Sequence, residues 1–176
     1  LFEEYMDKLP APENVGEFPE DEHPAVRELR RYRGTDRITP EQARRAQAAY
    51  YGLVTMTDRN IGRIIDTLAE EGLVEDTVIM YTSDHGDMAG EHSLWWKENF
   101  YEGSVGVPMI WSCPSRFRKD VRSDAVTGHL DVGPTLTDLA GADPLPGARG
   151  HSLVPLLEPE GDATDWPDTA YAETYA

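Results

Sequence analysis

Residues 76–87 decide the fold, and they read Asp-Thr-Val-Ile-Met-Tyr-Thr-Ser-Asp-His-Gly-Asp. The first seven are rich in β-branched side chains and apolar almost without alternation. This pattern is typical of a strand buried on both faces in a parallel sheet. A second run of this kind, Val-Pro-Met-Ile-Trp, stands at residues 107–111. The two runs predict strands in the central layer of a domain.

A long amphipathic helix is predicted before the first of these strands. Thr39 can cap it, Pro40 takes the first helical position and Gln42 the third, which is the arrangement of a capping box. Gly72 ends the pattern. Mostly apolar side chains recur between them at spacings of three and four, and we predict that they form a core stripe rather than a cofactor groove: Tyr50, Leu53, Val54, Thr57, Ile61, Ile64, Ile65 and Leu68.

Helices therefore alternate with strands along the chain. A further helix is predicted from a capping Asp131 through Leu139, with Gly141 after it. The alternation favours an α/β layered fold with a mainly parallel sheet. We expect an irregular acidic and basic surface segment at 1–38, the body of the domain at 39–142, and a proline-rich tail, mostly loop, at 143–176 of the same domain.

Charge and composition exclude several functions. The chain has 176 residues, a net charge of −17 and one cysteine, Cys113. This excess of negative charge opposes binding to nucleic acid or to an acidic membrane, and a lone cysteine excludes an intrachain disulfide framework. No apolar run is long enough to cross a bilayer. Because the chain starts at Leu1 without a signal-peptide pattern, we expect it to begin inside a longer polypeptide, and its compartment is left open.

Arginines cluster towards the end of segment 1–38. They predict either a solvated face or partners for the acids upstream, which the sequence favours, or else one arginine that reaches an anionic substrate. The members of the cluster are Arg27, Arg30, Arg31, Arg33 and Arg37.

The chemistry is predicted at the end of the first strand. In a parallel sheet, catalytic groups gather at the carboxyl ends of the strands, and Asp84 and His85 stand there with Gly86 allowing a tight turn. A carboxylate and an imidazole at one corner can bind a divalent metal ion. A helix cap and a surface histidine are the structural alternative.

Residues 90–97 add a cation to this chemistry. Lys97 follows Asp84 by 13 residues and stands after two tryptophans. An ammonium near a metal ion suits a tetrahedral oxyanion such as sulfate or phosphate. His92 can donate a proton to a leaving group, or simply be hydrogen-bonded in a loop. Trp95 and Trp96 can pack on a quaternary ammonium or a sugar, although packing in the core is the commoner role of such a pair.

Together these motifs resemble the type I sulfatases, within the alkaline-phosphatase superfamily. The resemblance rests on Tyr-Tyr-Gly-Leu-Val at 50–54, Ile-Gly-Arg-Ile-Ile at 61–65, the stretch 76–87, Gly-Glu-His-Ser-Leu-Trp-Trp-Lys at 90–97 and the runs 101–110, 131–141 and 150–157. It covers roughly residues 45–158 and is similar above all to the choline-sulfatase, iduronate-sulfatase-like and phosphonate-monoester-hydrolase groups.

The resemblance implies the carboxyl-terminal portion of an alkaline-phosphatase-like α/β fold that hydrolyses a sulfate ester of a small molecule. Asp84 and His85 match metal ligands, Lys97 matches the lysine that contacts sulfate, and we assign His92 a catalytic role. The metal implied is usually Ca2+, although His85 also occurs in relatives that use Mn2+ or Zn2+. The nucleophile implied is a formylglycine, made from a Cys/Ser-x-Pro-x-Arg motif upstream of this chain.

Ser112-Cys113-Pro114-Ser115-Arg116 imitates that motif by letter. It lies downstream of the Asp-His pair rather than upstream, so we predict no nucleophile in this chain and no activity of the chain alone. Absence of part of the sheet would leave an open strand edge, which favours a homo-oligomer. Two rival functions remain: hydrolysis of a phosphonate monoester or phosphodiester, and a non-catalytic acidic interaction module.

Overall fold

The computed structural model describes residues 1–173. The helices are α1 (Phe2–Lys8), α2 (Pro24–Arg33), α3 (Pro40–Glu70), α4 (Glu102–Val105), α5 (His129–Leu139) and α6 (Val154–Leu157). The strands are β1 (Ile79–Thr82), β2 (Met88–Ala89), β3 (Trp95–Trp96) and β4 (Met109–Ser112), and three 3₁₀ turns lie at Thr35–Arg37, Val74–Asp76 and Glu91–Ser93. This mixture of helices and strands confirms the α/β class.

The described residues divide into two compact units. The first unit contains residues 1–68 and 83–108, and the second contains residues 69–82 and 109–173. The boundaries proposed from the sequence, at 38 and 142, remain a prediction. Among residues 1–173, no helix combines the length and apolar character that a membrane span requires.

Helix α3 begins as its sequence predicts. The Thr39 hydroxyl accepts the Gln42 backbone N–H at 3.2 Å, and the Gln42 side chain accepts the Thr39 backbone N–H at 2.9 Å, so the capping box is formed. The helix ends at Glu70, and Gly72 follows in the left-handed conformation with φ 69°. The amino-terminal half of α3 contributes the buried residues Ala43, Gln47 and Ala48.

The predicted core stripe of α3 is wrong for the described chain. Leu53, Val54 and Ile64 are 58%, 47% and 63% exposed, and of the stripe only Ile61 and Leu68 are half-buried. The reason is that amphipathic spacing predicts which residues share a face, whereas burial depends on a layer that packs on that face. Within the described residues of the first unit, the layer on α3 lies on another face.

Segment 1–38 is more ordered than the sequence indicates, because it contains α1 and α2. Helix α1 packs on α3 through the Tyr5 hydroxyl, which lies 2.6 Å from the Thr55 hydroxyl. Arg44 of α3 donates hydrogen bonds to the carbonyls of Met6 and Leu9 at the carboxyl-terminal end of α1. Prolines and alternating charges interrupt the apolar periodicity that predicts a helix, so the sequence alone does not indicate α1 and α2. Contacts with residues far along the chain decide the structure of this segment.

In the first unit, the short strands β2 and β3 pair antiparallel, with Met88 opposite Trp96 and Ala89 opposite Trp95. The hairpin is small, but Met88, Ala89 and Leu94 are all buried. It therefore joins the two segments that carry the candidate site, residues 83–87 before β2 and residues 90–98 around β3.

In the second unit, β1 and β4 also pair antiparallel, with Tyr81 opposite Ile110. The expectation of mainly parallel strands is thus wrong for both pairs that the structure describes. Tyr81 and Ile110 are 40% and 57% exposed, so burial on both faces is also wrong here. An apolar run predicts a strand, but strand direction depends on how the chain returns.

The second unit also contains α5, which begins two residues before Asp131. Gly128 is its amino-terminal cap, and the Asp131 carboxylate accepts the backbone N–H groups of Gly128 and His151, each at 2.8 Å. The predicted capping role of Asp131 is therefore corrected to the third helical position of a capping box. Gly141 follows the helix with φ 62°, as predicted.

Candidate functional site

The loop 83–87 follows β1, bends at Asp84 and His85, and packs closely on another backbone segment at Gly86. The Gly86 N–H donates to the Ser104 carbonyl at 2.8 Å, and a Cβ at Gly86 would lie 3.0 Å from the Gly106 carbonyl oxygen and closer still to that of Gly103. A glycine is required because no side chain fits this approach of two backbones. The loop is thereby held against α4, with the Ser83 hydroxyl donating to the His85 carbonyl at 2.8 Å.

Asp84 and His85 contact each other in this loop. An Asp84 carboxylate oxygen (Oδ2) lies 3.4 Å from His85 Nε2. His85 Nδ1 lies 2.8 Å from the Gly86 carbonyl oxygen, and because a carbonyl only accepts, we assign the ring proton to Nδ1. Nε2 then carries a lone pair towards a carboxylate oxygen, an arrangement that favours a cation between the two atoms.

The charge at Asp84 reflects its neighbours. Partial desolvation, the largest single influence, raises the pKa of the Asp84 carboxyl, but the positive charge that His85 carries when its ring is protonated, two backbone N–H groups and the Lys97 ammonium together lower the pKa below its ordinary value. The carboxylate side chain is 83% exposed. Asp84 is therefore an ionised, accessible ligand at neutral pH.

Lys97 lies on the second segment of the site, residues 90–98, which we call the Lys97 loop. Its side chain is exposed, and its charge is among those that lower the pKa of Asp84. The structure thus places Asp84 and His85 in contact, with Lys97 near enough for its charge to act on Asp84. A carboxylate, an imidazole and an ammonium on two adjacent segments can hold a metal ion and an oxyanion.

His92 also lies on the Lys97 loop, but its described contacts are elsewhere. Its ring stacks on the Tyr101 ring, with centroids 4.3 Å apart and planes 12° from parallel. Its backbone carbonyl accepts a hydrogen bond from the Arg30 Nε at 3.1 Å. The role of His92 as a proton donor stays a prediction.

The Lys97 loop has an unusual backbone. Four of its residues other than glycine have left-handed φ angles between 54° and 78°, a conformation that L residues rarely adopt: His92, Ser93, Trp96 and Glu98. Gly90 has φ 113°. Such conformations persist only where surrounding contacts impose them, and they concentrate at functional sites.

The arginine cluster of α2 supplies contacts that the sequence did not assign. Arg30 forms a buried ion pair with Glu22, Arg33 pairs with Glu98, and Arg31 pairs with Glu28 in solvent. Pairing with upstream acids is confirmed for Arg30, but this pair is buried rather than solvated. The spacing of charges indicated the arginine cluster. The pairing of Arg33 with Glu98, 65 residues along the chain, has no signature in the local sequence.

A divalent metal ion fits part of this site. Asp84 and His85 present two donor atoms towards one point, yet no group of three or more His, Cys, Asp or Glu side chains within residues 1–173 is arranged to hold a metal ion. Asp84 and His85 alone therefore do not complete a metal site within the described residues.

The imitation motif lies in the second unit. Cys113 follows β4 and is 4% exposed, with its Sγ 3.7 Å from the Glu75 carbonyl oxygen and from the Ser115 hydroxyl. A buried thiol held in this way packs as a small apolar group.

Comparison with known proteins matches this chain to one family. The family model described as Sulfatase matches residues 17–142, which is most of the chain. This chain belongs to the sulfatase family. It is 42% identical to the choline-sulfatase of Rhizobium meliloti over 123 residues, and 41% identical to the arylsulfatase K of Gallus gallus over 123 residues; these matches cover 68% and 70% of the chain.

A solved structure is similar as well. The phosphonate monoester hydrolase SpPMH from Silicibacter pomeroyi matches with a TM-score of 0.77 and 32% identity over 86% of this chain and 32% of that one. The chain spans about a quarter of the length of the curated relatives it matches, 24% and 23% for the two sulfatases. The sulfatase family and its alkaline-phosphatase-like fold confirm the resemblance seen in the sequence.

Proposed function

We propose that this protein acts as a sulfatase that hydrolyses the sulfate ester of a small molecule. The observation that carries the proposal is the cluster of Asp84, His85 and Lys97 in one compact unit of a sulfatase-family chain. Membership alone indicates a class of chemistry, whereas the cluster supplies groups that this chemistry needs. A small ester is favoured because the net charge of −17 opposes polyanionic partners.

Asp84 and His85 are the residues that would hold a divalent metal ion. The ion would supply positive charge to a sulfate oxygen and so act as a Lewis acid. We propose Ca2+, which prefers carboxylate oxygens. Mn2+ and Zn2+ are the alternatives, because the imidazole of His85 is a softer ligand than an amide oxygen.

Lys97 binds the sulfate group in this proposal. Its exposed ammonium can donate to a sulfate oxygen and balance the charge on the oxygens as the ester bond breaks. His92 serves as the proton donor to the leaving-group oxygen, and the stack on Tyr101 orients its ring. The exposed face of Trp96 is held under the Arg33 guanidinium, 5.2 Å away, so we assign Trp96 no substrate contact.

The nucleophile in this proposal is a formylglycine supplied by a part of the sulfatase domain outside these 176 residues. Cys113 is buried and cannot reach a substrate, and Ser112, which fits the motif by letter, is set aside because it lies downstream of the Asp-His pair. We therefore expect the purified 176-residue chain not to hydrolyse sulfate esters. The exposed apolar residues of α3 support association between copies of the isolated chain.

Hydrolysis of a phosphonate monoester or phosphodiester is the second candidate. It is favoured by the TM-score of 0.77 to a phosphonate monoester hydrolase and by the imidazole of His85. The same cluster would serve, because a phosphonate group is also a tetrahedral oxyanion.

The test uses the full-length natural protein and two esters, 4-nitrophenyl sulfate and 4-nitrophenyl phenylphosphonate. We expect a higher kcat/KM for the sulfate, and we expect Lys97→Ala to lower it by about 10²–10³-fold. Lys119→Ala, which removes an exposed lysine of the second unit, is the matched control and should change kcat/KM by less than about twofold. Preference for the phosphonate would establish the second candidate, and turnover of neither ester would favour a non-catalytic interaction module.

A further inference from the structure

The Lys97 loop depends on contacts from outside itself. Its four left-handed residues other than glycine, at 92, 93, 96 and 98, lie on both sides of Lys97. Each such conformation costs on the order of 1 kcal/mol, so the loop by itself would populate other conformations. Contacts from other segments must therefore hold it, and within the first unit three of these come from residues 12–33, in addition to the stack of His92 on Tyr101.

The first contact is made by the buried pair of Arg30 and Glu22. The Arg30 guanidinium donates two hydrogen bonds to Glu22, at 2.8 and 2.5 Å, and its Nε donates to the His92 carbonyl at 3.1 Å. Both side chains are less than 5% exposed, and the Phe18 ring covers the guanidinium at 4.4 Å. Because a lysine cannot reproduce three donors in this fork, the geometry is specific to arginine.

The second contact fixes the turn that follows. The Gly16 backbone N–H donates to the Ser93 hydroxyl at 2.7 Å, and Ser93 is 1% exposed. A Cβ at Gly90 would lie 3.0 Å from Pro12 Cγ, so the chain at residue 12 packs directly on the start of the loop. The loop is thus held at its first half by residues that precede α2.

The third contact surrounds Lys97. Arg33 of α2 donates to the Glu98 carboxylate at 2.6 Å, and its guanidinium lies 5.2 Å from the centre of the Trp96 ring. These are the two residues directly before and after Lys97, and both have left-handed φ angles. One arginine side chain therefore holds the backbone on either side of the ammonium-bearing residue.

We propose that Arg33 and Arg30 are positioning residues that hold the Lys97 loop in its strained conformation and so aim the Lys97 ammonium at the substrate oxyanion. The inference rests on the proposed function for what Lys97 does, whereas the placement of the loop rests on the contacts alone. Arg33 acts on the two neighbours of Lys97, and Arg30 acts through the His92 carbonyl. Neither arginine touches the substrate.

The experiment compares Arg33→Gln with Arg31→Gln in the full-length natural protein. Both arginines lie on α2 and pair with a glutamate, but Arg31 pairs with Glu28 in solvent and serves as the matched control. We expect Arg33→Gln to lower kcat/KM for 4-nitrophenyl sulfate by about tenfold, less than the hundredfold that a 1 Å misplacement can cost. Arg31→Gln should stay within about twofold of the wild type.

Two further readouts separate positioning from a structural role. In a Lys97→Ala background, Arg33→Gln should change kcat/KM by less than about twofold, because the group it positions is gone. Exchanging the charges in the double variant Arg33→Glu, Glu98→Arg should restore part of the kcat/KM that Arg33→Glu alone removes. Equal effects of Arg33→Gln with and without Lys97 would overturn the proposal.

Amide hydrogen exchange of residues 90–98 tests the loop independently of activity. We expect faster exchange there in Arg33→Gln and an unchanged rate in Arg31→Gln, with exchange in α3 the same in both. If the wild type hydrolyses no sulfate ester, the proposed function falls. Unchanged exchange at 90–98 in Arg33→Gln would overturn the positioning role whatever the activity.

Discussion

The Lys97 loop and helix α3, most of which lies in the same compact unit, differ in the regularity of their backbone and in their burial. The loop has no regular pattern and a strained backbone, yet Ser93 and Leu94 are 1% and 2% exposed. Helix α3 has a regular apolar stripe over many turns, yet Leu53 and Ile64 are 58% and 63% exposed. Regular spacing therefore predicts local structure, whereas burial depends on which segments pack against it. Residues 12–33 pack against the loop, whereas most of the apolar stripe of α3 is exposed in the described chain.

The largest effect is expected at the buried charge that holds the loop. Arg30→Met should lower the free energy of unfolding of the chain by about 3–5 kcal/mol, because it leaves the Glu22 carboxylate buried without a partner. Arg31→Met, which removes a solvent-exposed pair, should change it by less than about 0.5 kcal/mol. Urea denaturation of the three proteins measures the difference. Equal losses of unfolding free energy in the two variants would mean that the buried pair stabilises the loop no more than a solvent-exposed pair does.

The contribution of the Arg30–Glu22 pair to the free energy of unfolding depends on pH in a defined direction. The hydrogen bond from Arg30 lowers the pKa of Glu22 below its ordinary value of 4.5, against the opposing effect of burial. A lowered folded-state pKa contributes stability above the ordinary value, and this contribution is lost as the pH falls through the folded-state pKa. The stability difference between wild type and Arg30→Met should therefore narrow as the pH falls below 4.5. A difference that widened in acid would contradict the buried pair.

A smaller effect is expected from metal binding next to the loop. In the full-length protein, Ca2+ at a hundred times its Kd should raise the free energy of unfolding by about 2.7 kcal/mol, or Tm by about 2–3 °C for a chain of the relatives' length. Asp84→Ala should abolish this shift, whereas Asp66→Ala, at an exposed aspartate of α3, should retain it. Thermal unfolding with and without the ion measures both. A shift that survives Asp84→Ala would place the metal elsewhere, and no shift in the wild type would favour a non-catalytic module.

The smallest effect is expected on α3 itself. In the isolated chain, Ile64→Lys should change the free energy of unfolding by less than about 0.5 kcal/mol, because Ile64 is mostly exposed, and it should reduce self-association in light scattering. Ala48→Lys, at a fully buried position of the same helix, should destabilise the chain strongly.

Repeating Ile64→Lys in the full-length protein sharpens the comparison. If the remainder of a sulfatase domain covers the stripe, the substitution places a charge in a core and should cost several times more there. An equal, small cost in both proteins would mean that the stripe stays exposed.

Local patterns in the sequence indicated the candidate site residues but not the residues that contact them. Asp84, His85 and Lys97 were identified because an Asp-His-Gly turn after an apolar strand, and a lysine after two tryptophans, are local patterns. Arg30 and Arg33 were assigned only to a charged cluster. Their partners are Glu22, the His92 carbonyl and Glu98, and a contact between positions 33 and 98 has no signature in spacing or composition.

The sequence by itself determined the local structure: the capping box and length of α3, the strand β1 and the left-handed end at Gly72. Each follows from short-range sterics and hydrogen bonding. Only the tertiary structure decided that β1 and β4 pair antiparallel, that the α3 stripe is exposed, and that α2 holds the Lys97 loop. These depend on packing between segments far apart in the chain, whose free energy no local pattern contains.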